Sequence, residues 1–326
     1  MPDTDSKAPL VVAYGLGVDS TAALIGLHAR GERPDLILFA DTGDEKQETY
    51  DFLPIFQRWL ESVKFPQVIV VRNVVGDFKH WPPYRTLAQN CLTNGTLPSL
   101  AFGFKSCSLK WKVAPQNKFC KTWQPAVTCW RAKGKVRKII GYDAGPKDRR
   151  RFAHAIGVED PQYDYGYPLI DWGWDREHCK EVILAAGLPV PPKSACYFCP
   201  ATQPEELHAH KAIYLRCIVI MEARAEPRLR EIKGLWRNGV KGTRTGKPKP
   251  GKMTDYIRQH RLLPEEEIDR LIRSAPQEII DNQQAFANGF EIPDWHDFIE
   301  AFTPEDAVPE TMPRLSLPLI NLDEEF

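Results

Sequence analysis

The chain has 326 residues, 43% hydrophobic and 26% charged, with 43 basic and 43 acidic side chains that balance to a formal net charge of zero. That is enough apolar content to bury a sizeable core in one large domain or two smaller ones, and eight dispersed cysteines do not make the disulfide framework of a small secreted protein. No run of eighteen apolar residues occurs and the start "MPDTDSKAP" lacks the basic and apolar regions of a signal peptide, so no membrane span is expected and the expected location is cytoplasmic.

The charge is unevenly spread. From Ala101 to Arg151 there are fourteen Lys and Arg against Asp143 and Asp148, and from Arg228 to Arg261 eleven bases against two acids. The remainder from Leu262 reverses the sign, with sixteen acids against three bases. Attraction depends on local patches, so DNA or RNA is an expected partner of the two basic segments, weighed against ordinary solvated faces.

In chain order, apolar and β-branched runs at "LVVAYG", "DLILFADTG", "QVIVVRN" and "VRKIIGYDA" predict strands, and helical patterns at 19–30 and about 45–62 separate the first three. Short buried strands alternating with helices imply an α/β fold, a parallel sheet covered on both faces. The segment from about 77 to 130, rich in aromatics, Pro, Asn and Lys, reads as a basic insertion over the site. Further helices are expected at 175–187, 203–225, 253–274 and 294–302, with a Gly/Pro/Lys loop at 239–252. The tail from Thr303 is expected to be extended or disordered.

The first strand runs into "GLGVDSTAA". Gly15 and Gly17 suit a tight turn that presents amides, and the helix N-terminus behind it favours phosphate, with Ser20 and Thr21 as caps and further donors. The third glycine of a dinucleotide fingerprint and the Gly-Lys-Ser/Thr of a Walker loop are both absent. The second strand ends in "FADTGDEKQET", which brings Asp41, Thr42, Gly43 and Glu45 to the same sheet edge. "SCSLKWKVAP" joins Cys107 to Lys110 and Lys112, "GYDAGPKDRRR" follows the last clear strand, and Cys196 and Cys199 form a Cys-x-x-Cys in "SACYFCP".

Taken in order over residues 10 to 215, these stretches resemble the phosphoadenosine phosphosulfate reductase-like branch of the PP-loop ATP pyrophosphatases in the adenine nucleotide α-hydrolase superfamily, including its members that transfer sulfur to DNA. The resemblance implies a Rossmann-like doubly wound sheet over residues 1–215, an α-helical C-terminal extension over 216–302 and an acidic tail over 303–326. It places Gly15, Gly17, Val18, Asp19, Ser20 and Thr21 in the loop that holds pyrophosphate, with Asp41, Thr42 and Gly43 near the nucleotide and its Mg²⁺. Gly141 matches the strand-end glycine, and Arg149 or Arg150 the arginine that pairs with phosphate. The implied activity is attack of an acceptor oxygen on the α-phosphorus of ATP, with Asp19, Asp41, Lys110 and Arg149 as catalytic residues, Lys112 as a further charge neutraliser, and sulfur transfer to a nucleic acid from a sulfur-donor protein as the outcome.

For the cysteines three readings stand side by side. Cys107, Cys196 and Cys199 would hold a 4Fe-4S cluster, closed if Cys179 or Cys217 added a fourth ligand; Cys196, Cys199, His208 and His210 would hold zinc; or the thiols are simply buried. Cys91, Cys120 and Cys129 are assigned to structure. The chain departs from the common loop at Leu16, where relatives have glycine, and at Val18, where no lysine stands. Two alternatives follow: a sulfonucleotide reductase, disfavoured because no cysteine follows Cys217 and the chain ends "LPLINLDEEF", and a non-catalytic nucleotide-binding module.

Overall fold

The computed structural model describes residues 8–98, 107–240, 248–302 and 311–315. Strand β1 (Leu10–Tyr14) leads into helix α1 (Val18–Ala29), β2 (Leu36–Asp41) into α2 (Gln47–Ser62), and β3 (Val68–Arg72) follows. Every residue of β2 is buried, which a strand can satisfy only when both sheet faces are covered. Then come β4 (His80–Trp81), α3 (Leu87–Asn94), a π-helical turn at Ser108–Val113, α4 (Ala114–Cys120) and α5 (Gln124–Arg131). Next are β5 (Val136–Ile140), α6 (Pro146–Ala155), β6 (Tyr163–Gly166), α7 (Pro168–Asp171) and α8 (Arg176–Ala185). A 3₁₀ turn at Pro204–Ala209 precedes α9 (Ala212–Ala225), α10 (Met253–Gln259), α11 (Glu265–Ser274), β7 (Ile280–Asp281), α12 (Asn282–Ala287) and α13 (Trp295–Glu300).

The central sheet has five parallel strands in the order β3-β2-β1-β5-β6. Alternate residues feed two layers. Leu10, Val12, Tyr14, Ile37 and Phe39 pack with α1, α2 and α8, while Val11, Leu36, Leu38 and Ala40 pack with Cys120 and Ala126 of α4 and α5. This is the α/β, Rossmann-like doubly wound architecture that the alternating pattern predicts, with helices added at the C-terminal end. Strand order reverses at β1, so the crevice between the C-terminal ends of β1 and β5 is where such a sheet offers a ligand site.

Several expectations change in detail. The fifth strand, β6, was hidden because "YDYG" is short and polar, as an edge strand tolerates. The segment 77–130 is no structureless insertion: it carries α3, the π-helical turn, α4 and α5, and α4 and α5 cover one face of the sheet. The helix expected over 203–225 breaks at His210 and Lys211, and that over 253–274 breaks before Pro264. The boundary expected after residue 215 falls inside α9, whose residues share one core with α3, α10, α11, Trp111 and Tyr197. Residues 99–106 of the basic insertion, 241–247 of the basic loop, and the tail except 311–315 lie outside the described residues.

The C-terminal layer is tied by buried charges. Glu222 on α9 accepts from the amides of Leu235, Met253 and Thr254 and from the Thr254 hydroxyl at 2.6–3.0 Å. Arg224 donates to the carbonyls of Leu92, Thr93 and Pro276, joining α9 to the end of α3. No described helix is long and apolar enough to cross a membrane.

Candidate nucleotide site at the β1 and β5 strand ends

The loop after β1 turns at Leu16, which takes a left-handed φ of 55° while fully buried; Gly17 is extended and caps α1. The tight turn expected of the two glycines is therefore made by the leucine between them. Ser20 Oγ accepts from Gly15 N at 3.1 Å and donates to Gly17 O at 3.2 Å, and Thr21 Oγ1 meets Tyr14 OH at 3.1 Å. Both hydroxyls thus shape the loop from inside, and Val18 is core. The amides of Leu16, Gly17, Val18, Asp19 and Ser20 have no acceptor among the described residues. Five consecutive unpaired donors at the N-terminus of a twelve-residue helix are an anion cradle.

Across the crevice, Gly141 follows β5. A Cβ there would lie 2.9 Å from Ser20 N and 3.0 Å from Ser20 Cα, so only glycine lets the β5 end approach the first turn of α1. Beyond it, ligand atoms of Asp19, Asp143 and Asp148 lie within 4.8 Å of one another. Arg176, in the first turn of α8, donates to both Asp19 oxygens at 2.6 and 2.7 Å, and Arg151 pairs with Asp148 at 2.9 Å. Burial raises the Asp19 pKa; Arg176 opposes this, and the two neighbouring aspartates reinforce it. Arg149 and Arg150 are exposed on α6 and donate to Ala144 O and Pro146 O, so the guanidinium in contact with Asp19 comes from Arg176 instead.

At the end of β2, Asp41 is fully buried and its oxygens are engaged by Arg72, by Tyr50 OH at 2.7 Å and by Gly43 N at 2.8 Å. The carboxylate assigned to the metal is held as an anchor for this strand end. Thr42 Oγ1 lies 3.2 Å from Cys196 Sγ, and Gly43, at φ 81°, passes against Thr86 where a Cβ would clash at 2.5 Å. Asp44 is fully buried, accepting Ala88 N at 2.6 Å on one oxygen and leaving Oδ1 without a partner; burial pushes its carboxyl up to about 7.

Glu45 joins this edge to the cysteine loop. It bridges to Cys196 through the backbone, accepts Lys112 Nζ at 2.8 Å and receives the Ser194 hydroxyl at 3.3 Å. Ser194 also packs against Gly17, where a Cβ would stand 3.4 Å from its own. Burial pulls the Lys112 pKa down, but Glu45, by charge and hydrogen bond, together with Cys196 and Cys199 more than offsets it and holds the ammonium above its ordinary value. Lys110 is exposed, with its Nζ 5.9 Å from the Trp111 ring. The π-helical turn therefore delivers Lys112, and not Lys110, to the site.

Cys196 is buried, and burial together with Glu45 pushes its thiol well above the ordinary value, against the pull of Lys112. Cys107 begins the π-helical turn and packs against the core that contains Cys196. The ligand atoms of Cys107, Cys196 and Cys199 do not all lie within 4.8 Å of one another, nor do those of any three of Cys196, Cys199, His208 and His210. His210 bridges Glu206 O and Tyr197 O at 2.9 and 2.8 Å, and His208 meets Tyr256 OH at 3.2 Å, so the imidazoles expected for zinc serve the fold elsewhere. Cys91, Cys120, Cys179 and Cys217 are buried.

Sequence reasoning missed Arg176, Asp143, Asp148 and Ser194. Their signals were present: Asp143 and Asp148 in the "GYDAGPKDRRR" that follows β5, and Arg176 directly after Asp175, whose carboxylate caps α8. No protein-family model matches the chain, and no curated protein is significantly similar to it.

Proposed function

We propose that the chain is a PP-loop ATP pyrophosphatase of the phosphoadenosine phosphosulfate reductase-like family that adenylates an acceptor, releasing pyrophosphate, in the course of sulfur transfer to a nucleic acid. The observation that carries the reading is the row of amides from Leu16 to Ser20, without acceptors among the described residues, in the loop that follows β1 at the switch point of the sheet. In α-phosphorus chemistry negative charge grows on the pyrophosphate leaving group, and fixed amides stabilise it without reorganising. Lys112 adds a cation at the neighbouring strand end, and Ser194 brings the Cys-x-x-Cys loop against the phosphate loop.

Of the three carboxylates beside the loop, Asp19 and Asp148 are paired with Arg176 and Arg151, and Asp143 has no ion pair among the described residues. The oxygen donors of Asp19, Asp143 and Asp148 fit a hard divalent ion such as Mg²⁺, which when bound would neutralise the polyphosphate. Arg176 holds Asp19 in place for that role. For the cysteines, Cys107, Cys196 and Cys199 would be the thiolate ligands of an iron-sulfur cluster. Loaded, such a cluster would supply sulfur chemistry beside the nucleotide.

The test uses ATP labelled at the α and γ positions. AMP and pyrophosphate are the expected products, and Gly17→Ala abolishes their release; ADP and inorganic phosphate alone would refute adenylation. Anaerobic purification with iron, sulfide and zinc analysis, repeated on Cys196→Ser, checks the metal.

A further inference from the structure

The 3₁₀ turn Pro204–Ala209, α10 and the paired residues Val240 and Lys249 enclose a cleft of about 810 Å³ on the C-terminal layer. Its wall is a stack of rings. His260 lies on Tyr256 with centroids 4.0 Å apart at 26°, His208 Nε2 meets Tyr256 OH at 3.2 Å, and Trp236 closes on Tyr256 edge-on. Tyr256 is buried whereas His208 and His260 are exposed; His208 meets His260 edge-on at 5.4 Å, and the stack ends on the exposed His260 imidazole. An aromatic stack with an open end inside a cleft is a platform for one more planar ring.

One acid, Glu205, and one base, Lys249, line the cleft beside it. Lys249 sits 4.6 Å from the Trp236 ring centroid, half-buried, and makes no ion pair with a described carboxylate. Withdrawing an ammonium from water without an anion is unfavourable, and a phosphate would supply the missing partner. Arg258 and Lys252 are already taken, by Glu265 and Asp269 and by Glu226. Arg261, next to His260, is exposed and extends the cationic surface past the cleft, within a stretch that holds eleven bases against two acids.

We propose that this cleft holds single-stranded nucleic acid, with one base stacked on His260 and the adjoining phosphate at Lys249. A duplex keeps its base faces stacked on each other and leaves nothing for the platform. The inference rests on the reading of a nucleic-acid acceptor and names where that acceptor is held. The cleft also adjoins the cysteine loop: Thr202 N donates to Cys199 O at 2.8 Å, and Trp236 Nε1 donates to Thr202 O at 2.9 Å. Pro204 on the rim follows Cys199 by five positions, a contour of at most about 18 Å.

The test is fluorescence anisotropy of the full chain with a labelled single-stranded DNA oligonucleotide, its RNA counterpart and the DNA duplex, in the absence of ATP. His260→Ala is expected to weaken single-strand binding about tenfold, the loss of one stacked base. Lys249→Gln is expected to lower the slope of log K against log salt by about 0.7, and Lys249→Arg to restore it. The thermal melt of each variant confirms folding. Unchanged affinity in both His260→Ala and Lys249→Gln, a preference for duplex, or equal competition by polyglutamate would overturn the proposal. Because the assay involves no turnover, a failed pyrophosphate assay leaves its result standing, and the reverse also holds.

Discussion

Leu16 makes the turn after β1 in a left-handed backbone that residues with a β-carbon rarely adopt. A left-handed φ of 55° costs a β-carbon about 1–2 kcal/mol, which is why glycine usually stands there. Here the side chain is fully buried in the layer formed by β1, α1 and α2, and a buried leucine contributes about 2–5 kcal/mol against truncation. Burial outweighs strain. Leu16→Gly, which relieves the strain but empties the core position, is therefore expected to destabilise the protein by about 2–3 kcal/mol; a gain in the urea midpoint would show that strain dominates. The flanking glycines carry no such load. A Cβ on Gly15 would meet Ser20 Oγ at 3.7 Å and one on Gly17 would meet Ser194 at 3.4 Å, both ordinary contacts, so the fold leaves their surface open for a ligand.

Among the elements, the contact that defines the crevice is β5 against the first turn of α1. Gly141→Ala would press a methyl group onto Ser20 backbone atoms at 2.9 and 3.0 Å, and neither strand end nor helix turn can yield cheaply. The expected cost is about 1–3 kcal/mol of stability. Pyrophosphate release is expected to fall more than tenfold, because the displaced turn carries the unpaired amides. Gly15→Ala is the control, keeping its melting temperature; equal melting and equal release in Gly141→Ala would remove the crevice from the mechanism. The elements also show what the sequence could convey. β1, β2, β3 and β5 were legible as short apolar runs bounded by turn residues, α2 and α8 because their apolar positions recur at helical spacing, and α1 as a small-residue apolar run behind a glycine turn. β6 is polar, and α3 to α5 are short helices marked by local caps, the Thr86–Gln89 capping box of α3 and a proline in the first turn of α4 and of α5, while the sheet face and core they cover are set by distant residues. Within the site, the loop and the Asp41–Glu45 stretch were legible as chain segments. The choice of Lys112 over Lys110 was not, since it depends on a π-helical turn and on Glu45 across the edge. The helix start that carries Arg176 was legible from its Asp175 cap, but its pairing with Asp19, 157 positions away, was not.

For the molecule as a whole, buried ionisable groups make stability depend on pH in two opposing directions. Asp44 sits where β2, α3 and the cysteine loop meet: its carboxylate accepts Ala88 N and its carbonyl accepts Tyr197 N. Burial raises its pKa from 3.8 to about 7, so the folded protein holds a proton there that the unfolded chain has released. That contribution to stability is complete below pH about 4 and is lost as pH rises through about 7, by at most about 1.4 kcal/mol per pH unit. His210 and His296 act oppositely, because burial lowers their pKa values and the unfolded chain gains the protons as pH falls below about 6.5. Asp44→Asn separates the two. Its side-chain carbonyl still accepts Ala88 N, the histidines are untouched, and the group no longer titrates. The melting temperature of Asp44→Asn minus that of the wild type is therefore expected to climb between pH 4 and 7 and to level off above. Parallel profiles across that range would mean that Asp44 is ionised in the folded protein, with Oδ1 reached by water or a cation in the space where the structure shows no partner.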